Sequence, residues 1–163
     1  MTVKKRGTGD IVIGEMSGTD LPEIMKIERA SFPVPWSEAL FRQELEFALS
    51  RSLVAKSKGE TGGDAVGYIT YWVIYDEIHV NNLAVKPDFR RRGIASRLVG
   101  TALEKALAEG AIRCTLEVRA SNEAARRLYE KFGFTVQGVR SRYYAESGED
   151  ALVMWADLNK ERP

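Results

Sequence analysis

Two rhythms of apolar positions alternate along the chain. Short runs dense in β-branched and aromatic residues predict strands, and stretches whose apolar positions return every three or four residues predict amphipathic helices. Ile11 and Ile13 suggest a first strand. Asp20 with Glu23 three positions later marks a helix start, and Leu21, Ile24, Met25 and Ile27 give that helix one apolar face. Pro33-Val34-Pro35-Trp36 breaks the helical pattern, because each proline fixes its own φ and biases the residue before it toward extended backbone. Ser37 can cap a second helix whose apolar face is Leu40, Phe41, Leu45 and Leu49.

A short strand around Leu53 to Lys56 leads into the polar, Gly-rich stretch 58–64, which has the chemistry of a hairpin turn. Val66 to Tyr75 and Ile78 to Val85 read as strands. A helix from about Gly93 to Glu109 buries Leu98, Val99, Ala102, Leu103, Ala106 and Leu107, and Gly110 ends it. Cys114 to Arg119 is a strand, Asn122 to Phe132 a helix closed by Gly133, and Phe134 to Val139 and Ala151 to Leu158 are the last strands. The order β-α-α-β-β-β-α-β-α-β-β predicts an α/β (α+β) chain with a mixed central sheet and helices packed on it. Residues 1–10 read as a flexible arm and 11–159 as one domain, with no internal repeat.

Composition narrows the function. A chain of 163 residues suits one globular domain that folds without a disulfide or metal staple. Its one Cys, Cys114, cannot form an intramolecular bridge, and one Cys with one His cannot build an ordinary structural zinc site, so no metal is expected. No window approaches about 18 consecutive apolar residues. A soluble, cytoplasmic, monomeric protein away from membranes is the expectation. The formal net charge of +1 argues against a surface built for nucleic acid.

Charge is concentrated at one place, however. Leu83-Ala84-Val85 ends a strand, Pro87 stops ladder pairing, and Phe89-Arg90-Arg91-Arg92-Gly93-Ile94-Ala95-Ser96-Arg97 runs into the long helix. Free N–H groups and the macrodipole at a helix N-terminus favour a phosphate. Gly93 and Ala95 keep side chains small there, and three arginines add forked donors that suit a pyrophosphate. The same run would also serve as a solvated, solubilising helix start. A nucleoside triphosphate loop and a dinucleotide fingerprint are both absent from the sequence.

Arg90-x-x-Gly93-x-Ala95 resembles the Gln/Arg-x-x-Gly-x-Gly/Ala signature of the GCN5-related N-acetyltransferases (GNAT). Leu116-Glu117-Val118-Arg119-Ala120-Ser121-Asn122, with Ala125, Leu128-Tyr129 and Gly133-Phe134, is similar to the second half of the same core. Together with Asn82-Leu83-Ala84-Val85 and Pro35-Trp36-Ser37 these blocks resemble the bacterial ribosomal-protein-alanine N-acetyltransferase subgroup, over residues 11 to 158. The resemblance implies a sheet with two splayed parallel strands and acetyl-CoA as co-substrate. Its pyrophosphate would lie on Arg90, Arg91, Arg92, Gly93, Ile94, Ala95 and Ser96, with its pantetheine arm along Leu83, Ala84 and Val85.

The strand Thr115-Leu116-Glu117-Val118-Arg119 puts Leu116 and Val118 on one face and Thr115, Glu117 and Arg119 on the other. A polar face on an interior strand implies a cleft or water there. The resemblance makes Glu117 the carboxylate facing the incoming amine and Tyr129 the proton donor to the departing sulfur. On residues alone, Glu117 could be an exposed strand carboxylate and Tyr129 a core aromatic. Asn122 reads as both a helix cap and a cofactor contact. His79 shares a face with Asn81, Leu83 and Val85 by strict alternation, and is either a strand histidine near water or an assisting base. Cys114 reads as a small buried hydrophobe.

Pro35, Trp36, Tyr143 and Tyr144 correspond to segments that line the peptide groove in the resembling subgroup, and their flat apolar walls suit a short extended peptide; on residues alone Trp36 could be ordinary packing and the tyrosines a hairpin tip, and the two readings are compatible. The subgroup's usual proline after the tyrosine pair is Ala145 here, and His79-Val80-Asn81-Asn82 is nearer to archaeal relatives of broader specificity. The expected reaction is acetylation of an N-terminal alanine, with a small-subunit ribosomal protein as partner. A small-molecule amine acetyltransferase, or a non-enzymatic module binding coenzyme A or RNA through Arg90 to Arg97, are the competing readings.

Overall fold

The computed structural model describes residues 10–58 and 63–159, so the arm up to residue 9 and the tip of the Gly-rich turn lie outside the described residues. The strands are β1 (Ile11–Glu15), β2 (Ser50–Ser57), β3 (Ala65–Ile74), β4 (Glu77–Val85), β5 (Arg113–Arg119), β6 (Thr135–Tyr144) and β7 (Glu149–Asp157). The helices are α1 (Leu21–Ser31), α2 (Glu38–Glu46), α3 (Ile94–Ala108) and α4 (Glu123–Lys131). Element order and type follow the hydrophobic rhythm throughout, and the strands form one sheet ordered β1-β2-β3-β4-β5-β7-β6. Every neighbouring pair is antiparallel except β4 and β5, which are parallel and joined through α3.

Helices cover both faces. On one face Leu21, Ile24, Met25 and Ile27 of α1 and Phe41 of α2 bury against Val54, Tyr68 and Ala84. On the other, the α3 stripe Ile94, Leu98, Val99, Ala102, Leu103 and Ala106, with Tyr129 of α4, packs on Ile69, Tyr71, Ile78, Val80, Leu116 and Val118. No helix among the described residues is long and apolar enough to cross a membrane.

Three local expectations are corrected. α1 starts directly after Asp20, as the spacing predicts, but the Asp20 side chain makes no capping hydrogen bond to it. It closes a box one turn earlier, accepting from the Ser17 N–H at 2.8 Å, while Glu23 accepts from the Ala65 N–H of β3. Leu49 is exposed because the chain leaves helical geometry at Phe47 (ψ 121°), so helical spacing no longer carries it to the apolar face. Leu107, beside Ala106 in the last turn of α3, faces solvent at the edge of the stripe.

The fourth correction shapes the site. In the β3–β4 ladder Thr70 opposes Asn82 and Tyr71 opposes Val80, which leaves Asn81 as a bulge. A bulge resets the two-residue alternation. Leu83 and Val85 therefore share the α3 face with Ile78 and Val80, whereas His79 lies on the opposite face with Asn82 and Ala84. The predicted grouping of His79 with Leu83 and Val85 fails for this reason. The parallel ladder also ends here: it runs from Glu77 opposite Arg113 to Val80 opposite Leu116, and β5 then stays with β7 as far as Arg119. Beyond the bulge β4 and β5 diverge.

Candidate active site

A cleft of about 360 Å³ opens where the two strands part. Val80 to Leu83 form one wall and Leu116 to Arg119 the other. The α1–α2 loop with Trp36, the start of α4 with Asn122, and the β6–β7 hairpin with Tyr144 complete it, and Tyr129 faces it from α4. Of the residues singled out in the sequence, Leu83, Glu117, Asn122, Tyr129, Trp36 and Tyr144 thus meet in one place. Pro35, Tyr143, Ala84, Val85 and the turn from Arg90 to Ser96 lie outside its lining. Ala84 and Val85 are buried in the two apolar clusters, and the Val85 carbonyl accepts from Arg90.

Glu117 sits between two nitrogen donors. His79 Nε2 is 2.7 Å from its Oε2, and Arg140 Nε is 3.3 Å from its Oε1. The hydrogen bond from His79 first, and then the charges of His79 and Arg140, hold the carboxyl below the usual carboxylate range despite partial burial. An ionised carboxylate only accepts, so His79 carries its proton on Nε2. His79 also meets the Trp72 ring edge-on at 6.1 Å between centroids, which fixes its plane.

Tyr129 is 6% exposed and packs beside Phe134 at 5.6 Å. Burial raises its phenol above the usual range, so it stays protonated and available as a donor. It is at once a core aromatic and a residue that lines the cleft. Asn122 is shown to be a cap, its Oδ1 accepting from the Ala125 N–H at 3.1 Å. Tyr144 lies under the Arg119 guanidinium at 3.9 Å, and Glu146 ties Arg119 to the hairpin. Residues 141–143 stand opposite Asp150 alone, with Arg142 at φ 52°, and this bulge turns Tyr143 outward and Tyr144 inward.

The turn before α3 has its own construction. Arg91 and Gly93 both take positive φ, 61° and 77°, and Gly93 is the N-cap residue of a helix with no side-chain cap. A Cβ at Gly93 would meet no atom within 4 Å, so the glycine serves its backbone conformation and leaves open space in front of the helix. Left-handed and right-handed residues in succession converge backbone N–H groups into an anion-binding concavity. The three arginines do not act alike. Arg90 spends its donors on Val85 O (3.0 Å) and Ser31 Oγ (3.2 Å), pinning the turn to β4 and α1, and Arg92 lies over the Phe89 ring at 4.9 Å. The uncapped helix start and the open space fit a pyrophosphate, and the strand gap fits an extended arm.

Two participants escaped the sequence reading. Arg140 reaches Glu117 from β6, a contact across the sheet that no local pattern announces. Glu28 is 1% exposed inside α1 and also lines the cleft. Its signal was present: Leu21, Ile24, Met25 and Glu28 follow i, i+3, i+4, i+7, which places a carboxylate on the buried stripe.

A mixed sheet opened at a bulged parallel pair, with an uncapped helix beside the opening, defines an N-acetyltransferase, and the chain belongs to the acetyltransferase (GNAT) family, which it matches over residues 21–134. It is 37% identical over 145 residues to the [ribosomal protein bS18]-alanine N-acetyltransferase of Salmonella typhimurium, covering 87% of this chain and 94% of that one. It superposes on the crystal structure of the ribosomal-protein-S18-alanine N-acetyltransferase from Escherichia coli with a TM-score of 0.83 at 30% identity, over 93% and 96% of the two chains. Ard1 from Thermoplasma volcanium matches with the same TM-score at 26% identity, over 93% and 99%.

Proposed function

We propose that this protein transfers the acetyl group of acetyl-CoA to the α-amino group of a protein N-terminus that begins with alanine, in the cytoplasm, a small-subunit ribosomal protein being the target. The observation that carries this reading is the Glu117 carboxylate, held by His79 and Arg140 at the mouth of the β4–β5 gap between Trp36 and Tyr144. The names of the similar bacterial proteins support it.

Acetyl-CoA supplies an acetyl group activated as a thioester. The turn from Arg91 to Ser96 would hold its pyrophosphate through backbone N–H groups, and β4 from Leu83 to Val85, beyond its ladder with β5, would hold its arm. An α-amino group with a pKa near 8 is already neutral in roughly a tenth of molecules at pH 7, whereas a lysine amine near 10.4 needs about 4 to 5 kcal/mol to become so. Glu117, ionised throughout the neutral range, accepts the proton that the amine nitrogen sheds as it bonds to carbon. His79 and Arg140 keep the carboxylate oriented and ionised beforehand. Tyr129, protonated by virtue of its burial, donates to the sulfur that leaves.

Three carboxylates line the cleft, and each has a partner in the protein: Glu28 with its donors, Glu117 with His79 and Arg140, Glu146 with Arg119. A pocket for a polycationic small molecule would leave such charges free, which favours the peptide reading. The test compares an Ala-initiated peptide with a free amine against the same peptide blocked and carrying lysine, following thiol release. Faster release from the first is expected; equal rates, or faster release from the lysine peptide, would end the assignment.

A further inference from the structure

We propose that Glu28 is a positioning residue that fixes the peptide-facing wall of the cleft at its distance from the strand carrying the acetyl donor; this rests on the function proposed above. Its carboxylate takes donors from three separate elements. Tyr68 of β3 donates its hydroxyl to Oε2, Asn82 of β4 donates Nδ2–H to the same oxygen at 2.9 Å, and Trp36 donates its backbone N–H to Oε1 at 3.0 Å. Glu28, Tyr68 and Asn82 are buried, at 1%, 0% and 7% exposure, between an apolar cluster and the cleft, and Trp36 is half-buried.

A carboxylate in such surroundings carries a large desolvation penalty, and an apolar residue of the same size would commonly stabilise the fold as well or better. What the three donors provide is geometry. Asn82 is the first residue past the β4 bulge and Trp36 ends the stiff Pro33–Trp36 segment; both line the cleft, as does Glu28 itself. The prolines at 33 and 35 have no N–H, so the Trp36 amide is the handle by which that segment can be tied down immediately after Pro35. Tyr68 is kept protonated by burial and by the charge of Glu28, and therefore stays a donor. No step of the transfer uses Glu28. Its removal should disturb where the peptide lies, leaving the chemistry at Glu117 and the cofactor turn as they are.

Glu28→Gln keeps the size but offers one acceptor oxygen in place of two, so at least one donor loses its partner. The KM for an Ala-initiated peptide should rise about tenfold or more, the cost of one lost bond to a charged group. Turnover at saturating peptide and coenzyme A affinity by calorimetry should stay within about threefold, the pattern of lost ground-state positioning. Hydrogen exchange at the Trp36 amide should quicken while that of β3 and β4 does not. Tyr68→Phe, which removes one donor and leaves the loop bond, should raise KM by a smaller factor and serves if the first variant does not fold. An unchanged KM in a folded variant, or parallel loss of turnover and coenzyme A binding, overturns the proposal. If the wild-type protein proves inactive on the peptide, the proposed function falls, while the Trp36 exchange rate still judges Glu28 separately.

Discussion

Two strand-to-helix turns flank the same gap, and they are finished differently. After β5, Asn122 turns its side chain onto the first turn of α4 and satisfies the Ala125 N–H, and Glu123 adds a negative charge where the helix dipole welcomes one. After β4, α3 starts at a glycine with positive φ, no side chain caps it, and the space in front of Gly93 is open. The first turn has a side-chain cap within the protein, lines the cleft through Asn122 and carries Tyr129 into the cleft wall. The second is left incomplete in its hydrogen bonding, and a ligand's phosphates are what its donors suit. Of two similar units on one sheet, the uncapped one is where the proposed function seats the pyrophosphate.

The sharpest way to break this contrast is to fill the open turn. Gly93→Trp places bulk where no protein atom stands and asks an aromatic residue to hold a φ of 77°. Coenzyme A affinity by calorimetry should fall at least about a hundredfold as several backbone donors are blocked, while thermal unfolding shows a loss of only about 1–2 kcal/mol for the left-handed conformation. At the finished turn the balance should reverse. Asn122→Ala should cost about 1 kcal/mol of stability in denaturant unfolding through the lost cap, with a smaller effect on coenzyme A affinity than Gly93→Trp. Equal losses of affinity at both turns would erase the distinction.

The segment between the turns offers a finer probe. Glu117 titrates below its usual range because His79 and Arg140 favour its ionised form. The stability this contributes is present above the carboxyl's unfolded pKa and is lost as pH falls through the lower folded value. Arg140→Ala removes one of the two influences, so the Glu117 carboxyl, followed by NMR, should titrate at a higher pH, by less than one unit for a half-exposed partner. A titration that stays fixed would show that Arg140 does not help hold the carboxylate ionised.

Much of this was legible in the chain. Helix faces follow from spacing, the Ser37 and Asn122 caps from residue type, and the polar face of β5 from its alternation. What escaped depends on contacts remote in sequence. The bulge at Asn81 is set by pairing with β3, and it parts the face of Leu83 and Val85 from that of His79, which its register opposite Thr115 brings beside Glu117. Arg140 arrives from the far edge of the sheet through the β6 register. Glu28 was readable as a charge on an apolar stripe, yet its three donors come from β3, β4 and a loop, and only the folded chain assembles them.

Glu117→Gln, with turnover followed by thiol release and coenzyme A binding followed by calorimetry on the same preparation, tests the account most directly. Turnover on an Ala-initiated peptide should fall by about 10²- to 10⁴-fold, the usual worth of a positioned base, with affinity for coenzyme A held within about twofold because the α3 turn is untouched. Turnover kept near the wild-type rate, or binding lost in step with it, would contradict the assignment of chemistry to the gap between β4 and β5.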